Sequence, residues 1–509
     1  MSTSVAESSS VASPDRRSGD VFLTGVVAML CVNVVQRLVG IVRNFGFCKF
    51  LSEEQLGSWA LANSFFLIIV PVSLLGLTGG FGRYIEHYRC QGKLGNYVRS
   101  VLKVSAVGVA LTITAMLIWS DGFSWLVFSG SEPMSVTIWC ALTLLSLVVF
   151  SVVYELVGGL RLVRLMGVMQ FLQSTIFAIV GLPLIAKFGS WVVLLPSFSI
   201  ACLAASVPGV WRLVKDYQSD FKAVESFDRG SMWRRILPYA VSLWLLNLLG
   251  NLFEVSDRYM LLHLSESVEI GQAAVGEYHC GRIIPNLLVS VALMLSGVVL
   301  PFVSRDWEAG DRQAVADRLR QMLISMSISF TGLGVAALVV APVLFYYAFG
   351  DRYAQALGIL PIALAHATWV GLFLIVQNYL LCIEKMRSLL FLCALGLIIN
   401  LALNAVMISV WGLFGAMIAT TAASLLSLLL LRKLVAESGC DLGASSLAVM
   451  MVPLSLIGGP ILAALVIVGL VFTAGRTDFL LSQQDRQDID AAILPKLQKL
   501  GIKLTSIWP

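Results

Sequence analysis

Apolar residues dominate the chain in long runs, and the polar positions within those runs carry the information. The first run spans about residues 20–50, long enough to cross a hydrocarbon core of ~30 Å as a helix. On a helix advancing 100° per residue, Asn33, Gln36, Arg37, Gly40, Arg43 and Asn44 share one face, and the positions between them are apolar. Further runs follow at about 56–88, 97–119, 134–157, 167–187, 190–212, 234–264, 272–303, 318–350, 355–381, 387–410, 412–434 and 447–474. The pattern predicts an all-α polytopic membrane protein with thirteen membrane segments.

Composition agrees: 58% of the 509 residues are hydrophobic and only 13% are charged, which excludes a soluble globular chain. The net charge of +5 matters less than where the basic residues fall. Alternate connections hold Arg89, Lys93 and Arg99, then Arg161 and Arg164, then Lys215, Lys222, Arg234 and Arg235, then Arg305, Arg312, Arg318 and Arg320, then Lys385 and Arg387, then Arg432 and Lys433. The other connections, such as 120–133 and 264–281, carry acidic residues and almost no Lys or Arg. The positive-inside rule places the basic set and the N-terminus in the cytoplasm. Residues 1–19 read as a disordered polar lead, because they lack the apolar core and cleavage site of a signal peptide. No nucleic-acid surface is expected, since basic residues come only in short clusters. The nine cysteines form no ligand-spaced group, so neither a metal nor a cofactor is expected.

The segments divide into two sets. The polar positions of the first helix recur 214 residues later as Asn247, Gly250, Asn251, Glu254, Asp257 and Arg258. Leu51-Ser52-Glu53 recurs as Leu264-Ser265-Glu266, and Gly57-Ser58-Trp59 as Gly276-Glu277-Tyr278. Met166, Trp191 and Arg212 match Met386, Trp411 and Arg432 at a spacing of 220. Six helices per copy return the chain to the same side, so the copies are parallel repeats about an axis along the membrane normal. The expected organisation is a first six-helix lobe at 20–212, a cytoplasmic linker at 213–233 and a second lobe at 234–434. A thirteenth helix follows at 447–474 and a polar tail at 475–509, with an amphipathic stretch near 485–500. The polar stripes of helices one and seven then face each other across a central cavity.

Charge inside the membrane selects the candidate residues. A guanidinium cannot shed its charge, and in lipid it costs at least ~2.5 kcal/mol. Arg43 lies near enough to a helix end to snorkel to the headgroups; Arg37 is too central and requires a wet, protein-lined interior. Two fixed guanidinium forks on one stripe suit a diphosphate, which must be desolvated to cross. Asn33 and Gln36 extend the same face. In the second repeat Glu254, Asp257 and Arg258 are candidates for coupling or for counter-ions, and Arg282 either joins the binding face or pairs with Asp257. His366, on an otherwise apolar helix, reads as a satisfied core histidine. Intramembrane amides such as Gln173, Gln377, Asn400 and Asn404 commonly join helices, or read sugar hydroxyls.

The run Arg37-x-x-Gly40-x-x-Arg43, followed by Leu51-Ser-Glu-Glu-Gln-Leu-Gly57, resembles the polysaccharide transporter (oligosaccharide flippase) family. Its superfamily also holds the lipid II flippases and the multidrug and toxin extruders. Asp257-Arg258, Arg282, Leu300-Pro301, Phe349-Gly350-x-x-Tyr353 and Gly412-Leu-Phe-Gly415-Ala extend the resemblance over about residues 20–435. It implies twelve core helices in two lobes, alternating access, and a substrate of sugars on undecaprenyl diphosphate, moved across the bacterial inner membrane for surface polysaccharide or lipopolysaccharide synthesis. It also implies glycan assembly proteins as partners, and cavity-lining arginines at Arg37, Arg43 and Arg282. Thirteen segments rather than fourteen separate this chain from lipid II flippases. The competing readings are a cation-coupled drug exporter, which would want acidic residues in the first lobe, and an integral glycan polymerase or ligase, which would want catalytic side chains on an outside loop.

Overall fold

The computed structural model describes residues 35–130, 132–221, 228–476 and Arg486. Asn33, the 1–19 lead and the 485–500 amphipathic stretch lie outside the described residues, Arg486 excepted. Every regular element is helical among the described residues. The first lobe comprises α1 (35–50), α2 (Glu53–Ser73), α3 (Phe81–Cys90), α4 (Leu94–Ile118), α5 (Ser120–Phe128), α6 (Met134–Gly159), α7 (Val163–Phe188) and α8 (Leu194–Tyr217). The second comprises α9 (Arg229–Leu264), α10 (Val268–Gly281), α11 (Ile283–Glu308), α12 (Arg312–Phe349), α13 (Ala354–Cys382) and α14 (Met386–Glu437).

Ten described helices are long and apolar enough to cross a membrane. The thirteen expected segments reduce to ten for local reasons. The first is described only from residue 35. Segments eleven and twelve form one continuous assignment, α14, broken at Gly412 with φ of 53°. That left-handed conformation is easy only for glycine and turns the chain back on itself, so Asn400 Nδ2 donates to Thr420 Oγ1 at 2.9 Å across the resulting hairpin. The last segment is two short helical stretches, Gly443–Ile457 and Pro460–Arg476. These comprise α15 (Gly443–Met451), α16 (Leu454–Ile457) and α17 (Pro460–Arg476). Val449 and Ala474 pack together on Ile324 of α12, while Leu456 lies against Gly334, nearly three turns further along. The extra C-terminal element is therefore a hairpin that returns to its starting level, where a single traversing helix was expected.

Two other expected helices are interrupted, for different reasons. The second segment breaks after Pro71, where Leu75 and Gly76 adopt φ of 51° and 62° before the chain resumes as a short 3-10 turn and α3. The eighth bends at Arg282, whose φ and ψ of −93° and −4° separate α10 from α11. Many buried Ser and Thr hydroxyls bond back within their own helix, as Ser64 Oγ donates to Ala60 O at 2.7 Å and Thr421 Oγ1 to Met417 O at 2.6 Å.

The lobes meet at both ends of the bundle. Toward the face with few basic residues, α2 crosses α10 so closely that a Cβ on Gly57 would overlap the Gln272 carbonyl, and one on Gly276 the Glu53 carbonyl. The contact is reciprocal: residue 57 meets 272 and 276, and residue 276 meets 53 and 57. A two-fold relation between the lobes produces that pattern, and the sequence pairs the same two glycines as repeat equivalents. Gln272 Nε2 to Phe128 O at 3.4 Å, His263 Nε2 to Leu126 O at 3.0 Å and Tyr353 OH to Cys48 O at 3.1 Å complete this seal. Toward the basic face, Trp244 of α9 fills the unwound stretch after α2, packing on Gly76 and donating Nε1 to Pro71 O at 3.1 Å. Tyr84 OH donates to Arg235 O at 3.2 Å, and Arg235 Nη1 donates to His87 Nε2 at 2.9 Å.

Candidate functional site

Between the two seals lies a cavity of about 390 Å³, walled by α1 and α7 on one side and by α9 and the α10–α11 bend on the other. Gln36, Arg37, Gly40, Arg43 and Asn44 line it from α1, and Glu254 and Arg258 from α9. The repeat-related polar stripes thus face each other, as their spacing predicts. Asn63, Gln173, His279, Asn286 and Ser290 add polar wall, and Trp59, Phe177 and Phe198 aromatic wall.

The first-lobe arginines are held without carboxylates. Neither Arg37 nor Arg43 forms an ion pair among the described residues. The Arg43 guanidinium lies 4.9 Å from the centre of the Phe177 ring, a cation–π contact that fixes its plane, and its buried Nε has no partner. Phe177 is itself wedged by Phe47, Trp59 and Phe198. A charged fork is thereby pre-positioned by apolar packing, with its hydrogen-bonding capacity left open toward the cavity. His279 Nε2, also in the wall, is buried and unpartnered.

The second-lobe charges pair with one another, although Arg258 Nε and Arg282 Nε and Nη1 keep no hydrogen-bond partner. Arg282 is 1% exposed and stands behind the cavity wall. Its Nη2 donates to Glu254 Oε2 at 2.9 Å and approaches His366 Nε2 at 3.5 Å. His366 Nδ1 is 2.9 Å from Ser424 Oγ, which makes it the satisfied core histidine expected. Glu254 Oε1 lies 3.8 Å from Arg258 Nη2, and Arg258 Nη1 crosses to the first lobe to donate to Ser64 Oγ at 2.6 Å. Asp257 is fully buried and pairs with neither arginine: Tyr278 OH donates to Oδ2 and Asn404 Nδ2 to Oδ1 at 2.8 Å. Asn404 and Asn400 then extend the network to Ser256 and Thr420.

Of the residues selected from sequence, Gln36, Arg37, Arg43, Glu254 and Arg258 come together at the cavity. Arg282 joins them only through Glu254, and Asp257 faces away from the cavity. The pairing of Arg282 with Asp257 gives way to one with Glu254, because on α9 residue 254 lies one turn before Arg258 and points into the cavity while 257 points into the helix bundle. Phe177 and Trp59 were not selected. Phe177 carries no sequence signal as a cation platform; Trp59 carried one, since its repeat partner is Tyr278, the residue that holds Asp257.

A family model described as "Polysaccharide biosynthesis protein" matches residues 22–307, more than half the chain. No curated protein matches the sequence. Among solved structures, the chain is similar to a lipid II flippase, MurJ, in an inward closed conformation, with 14% identity and a TM-score of 0.66 over 88% of this chain and 99% of that one. It is also similar to a multidrug resistance MATE family transporter of the MOP superfamily, inward-facing, with 15% identity and a TM-score of 0.62 over 79% of this chain and 95% of that one. At such identities the likeness establishes the two-lobe transporter fold.

Proposed function

The chain belongs to the polysaccharide biosynthesis protein family, and from that premise we propose that it flips a lipid-linked oligosaccharide across the bacterial inner membrane. The carrier in this reading is undecaprenyl diphosphate, the basic face and N-terminus are cytoplasmic, and glycan assembly proteins supply and take up the substrate. The observation that carries the proposal is the pair of guanidiniums without a carboxylate partner among the described residues, Arg37 and Arg43, in a cavity between the two inter-lobe contacts. A fixed cation without a counter-ion is costly in a membrane, and a doubly charged diphosphate offsets that cost when bound. Gln36 and Asn44 can donate to the remaining phosphate oxygens. Opening one seal while the other stays closed gives alternating access.

Glu254 has a place in the cycle. It is the one carboxylate in the cavity wall among the described residues, already shared by Arg282 and Arg258. A diphosphate on Arg258 would displace it, and its return would re-pair Arg258 and help expel the product. That arrangement disfavours a cation-coupled drug exporter, which needs a carboxylate free to take up an ion or a cationic drug.

The experiment is flipping of undecaprenyl diphosphate-linked glycan in reconstituted vesicles. Arg37→Ala is expected to abolish flipping while inserting and expressing as the parent does. Full activity in that variant would remove the diphosphate reading. Export of a cationic dye, with no lipid-linked glycan moved, would replace it with the exporter.

A further inference from the structure

A second cavity of about 350 Å³ lies within the second lobe, and the function proposed above does not use it. Its polar wall includes Asn247, Asn251, Gln377 and Ser427, and Phe253 and Phe373 are among its apolar lining. Glu254 lines both this chamber and the central cavity, so the two adjoin at one side chain.

We propose that this chamber is a saccharide subsite, which receives the sugar bonded directly to the diphosphate while the diphosphate itself sits on Arg37 and Arg43. The inference rests on the flippase reading and adds to it the residues that recognise the glycan. Three observations select a neutral polyhydroxylated ligand. First, no Lys or Arg among the described residues lines the chamber, so an anion would find no cation in its wall. Second, Glu254 is already committed to Arg282 and Arg258, so a cation entering the chamber would find no free carboxylate. Third, an apolar chain would leave polar groups unsatisfied. Ser427 is 8% exposed and its Oγ has no hydrogen-bond partner. Asn251 donates Nδ2 to Leu67 O at 2.9 Å, which leaves its Oδ1 available as an acceptor. Amides and hydroxyls set among aromatic rings match a sugar, whose hydroxyls need donors and acceptors together and whose C–H faces pack on rings.

Placement supports the same conclusion. In a glycosyl diphosphate the first sugar is one bond from the phosphate, so its site must adjoin the anion site. Glu254, at the shared wall, is the only side chain among the described residues that lines both cavities.

The test is binding of the purified full-length protein to bare undecaprenyl diphosphate and to its single-sugar esters, one each with N-acetylglucosamine, N-acetylgalactosamine, glucose and galactose. At least one ester should bind about tenfold tighter than the bare lipid. Gln377→Ala and Ser427→Ala should each shrink that preference to a few-fold and leave the affinity for the bare lipid where it was. Ser427→Ala removes a single unpartnered oxygen, so it keeps the test valid where a larger truncation misfolds. Arg43→Ala should weaken bare and glycosylated lipids alike. Equal binding of all five lipids, or a preference that survives both chamber substitutions, overturns the saccharide subsite while the diphosphate site stands. If no diphosphate lipid binds at all, the flippase reading fails and the subsite fails with it.

Discussion

Arg43 and Asp257 occupy the same position in the two repeats, and the two lobes treat them in opposite ways. In the first lobe the repeat position holds a cation that faces the cavity, rests on Phe177 and has no carboxylate partner among the described residues. In the second it holds an anion sealed from the cavity by hydrogen bonds from Tyr278 and Asn404. The neighbouring second-lobe arginines, Arg282 and Arg258, share a protein counter-ion in Glu254. The lesson is one of accounting for partners. A buried charge that the protein itself pairs or hydrogen-bonds serves the fold, whereas a cation given no carboxylate awaits a ligand. Substitutions that separate stability from transport can test that distinction.

The largest effect is expected at Arg282. Arg282→Met leaves Glu254 with only the longer contact to Arg258, and removing one member of a buried pair costs about 3–5 kcal/mol. The variant should lose much of its thermal stability in detergent. Adding Glu254→Gln should deepen that loss, because it also takes from the buried Arg258 the carboxylate it shares. A stable Arg282→Met protein defective only in transport would instead move Arg282 into the binding machinery.

Arg43→Ala should show the converse. Its thermal midpoint should stay unchanged or rise, since an unpaired cation is removed. Flipping should fall roughly 10- to 100-fold, the worth of about 1.5–3 kcal/mol for hydrogen bonds to a charged group. A destabilised Arg43→Ala protein would erase the contrast between the lobes.

The Gly57–Gly276 crossing is the place where the lobes behave alike, so it provides the control. An added methyl at either glycine meets a backbone carbonyl that cannot swing aside. Overpacking of this kind costs about 1–3 kcal/mol, and here it acts against the sealed state. Gly57→Ala and Gly276→Ala should therefore each expose a cysteine at Ser290, in the cavity wall and in a background cleared of native cysteines, to faster labelling by an impermeant thiol reagent. Equal effects are expected from the two substitutions, and an effect from only one would show that the two-fold relation fails at this seal.

Much of this was legible in the sequence because membrane segments announce themselves. Apolar runs, alternating basic connections and the 214-residue register predicted two facing lobes, and the Gly57–Gly276 equivalence became a physical contact. What could not be read was partner choice. Glu254 and Asp257 are three residues apart on one helix, so the rotation of α9 decides which of them meets Arg282. That rotation is set by packing between distant elements such as Ser64 and Asn404. The turn in the C-terminal segment was marked by Pro453 and Gly458-Gly459-Pro460, but whether a marked break bends a helix or reverses it depends on the groove of α12 that receives it. Phe177 looked like any other apolar residue of α7, since a cation platform has no motif.

The smallest expected effect distinguishes the two first-lobe arginines from each other. Arg37 is exposed to the cavity and has no aromatic platform among the described residues, whereas Arg43 is held against Phe177 with its Nε enclosed. A lysine keeps the charge and gives up the planar fork and the stacking surface. At position 37 the ligand loses geometry that the protein did not fix, and a mobile ammonium can follow the phosphate, so Arg37→Lys should retain flipping to within about threefold. At position 43 the protein has already fixed the plane of the guanidinium. Arg43→Lys therefore loses the stacking energy, roughly 0.5–2 kcal/mol for a cation over a ring, together with that pre-organisation. Flipping should fall about tenfold. Phe177→Leu should bring the parent down to a similar level and have little further effect on Arg43→Lys, because both substitutions remove the same contact. If Arg43→Lys and Phe177→Leu instead multiply, the ring and the guanidinium act independently, and the first lobe presents its charge without positioning it.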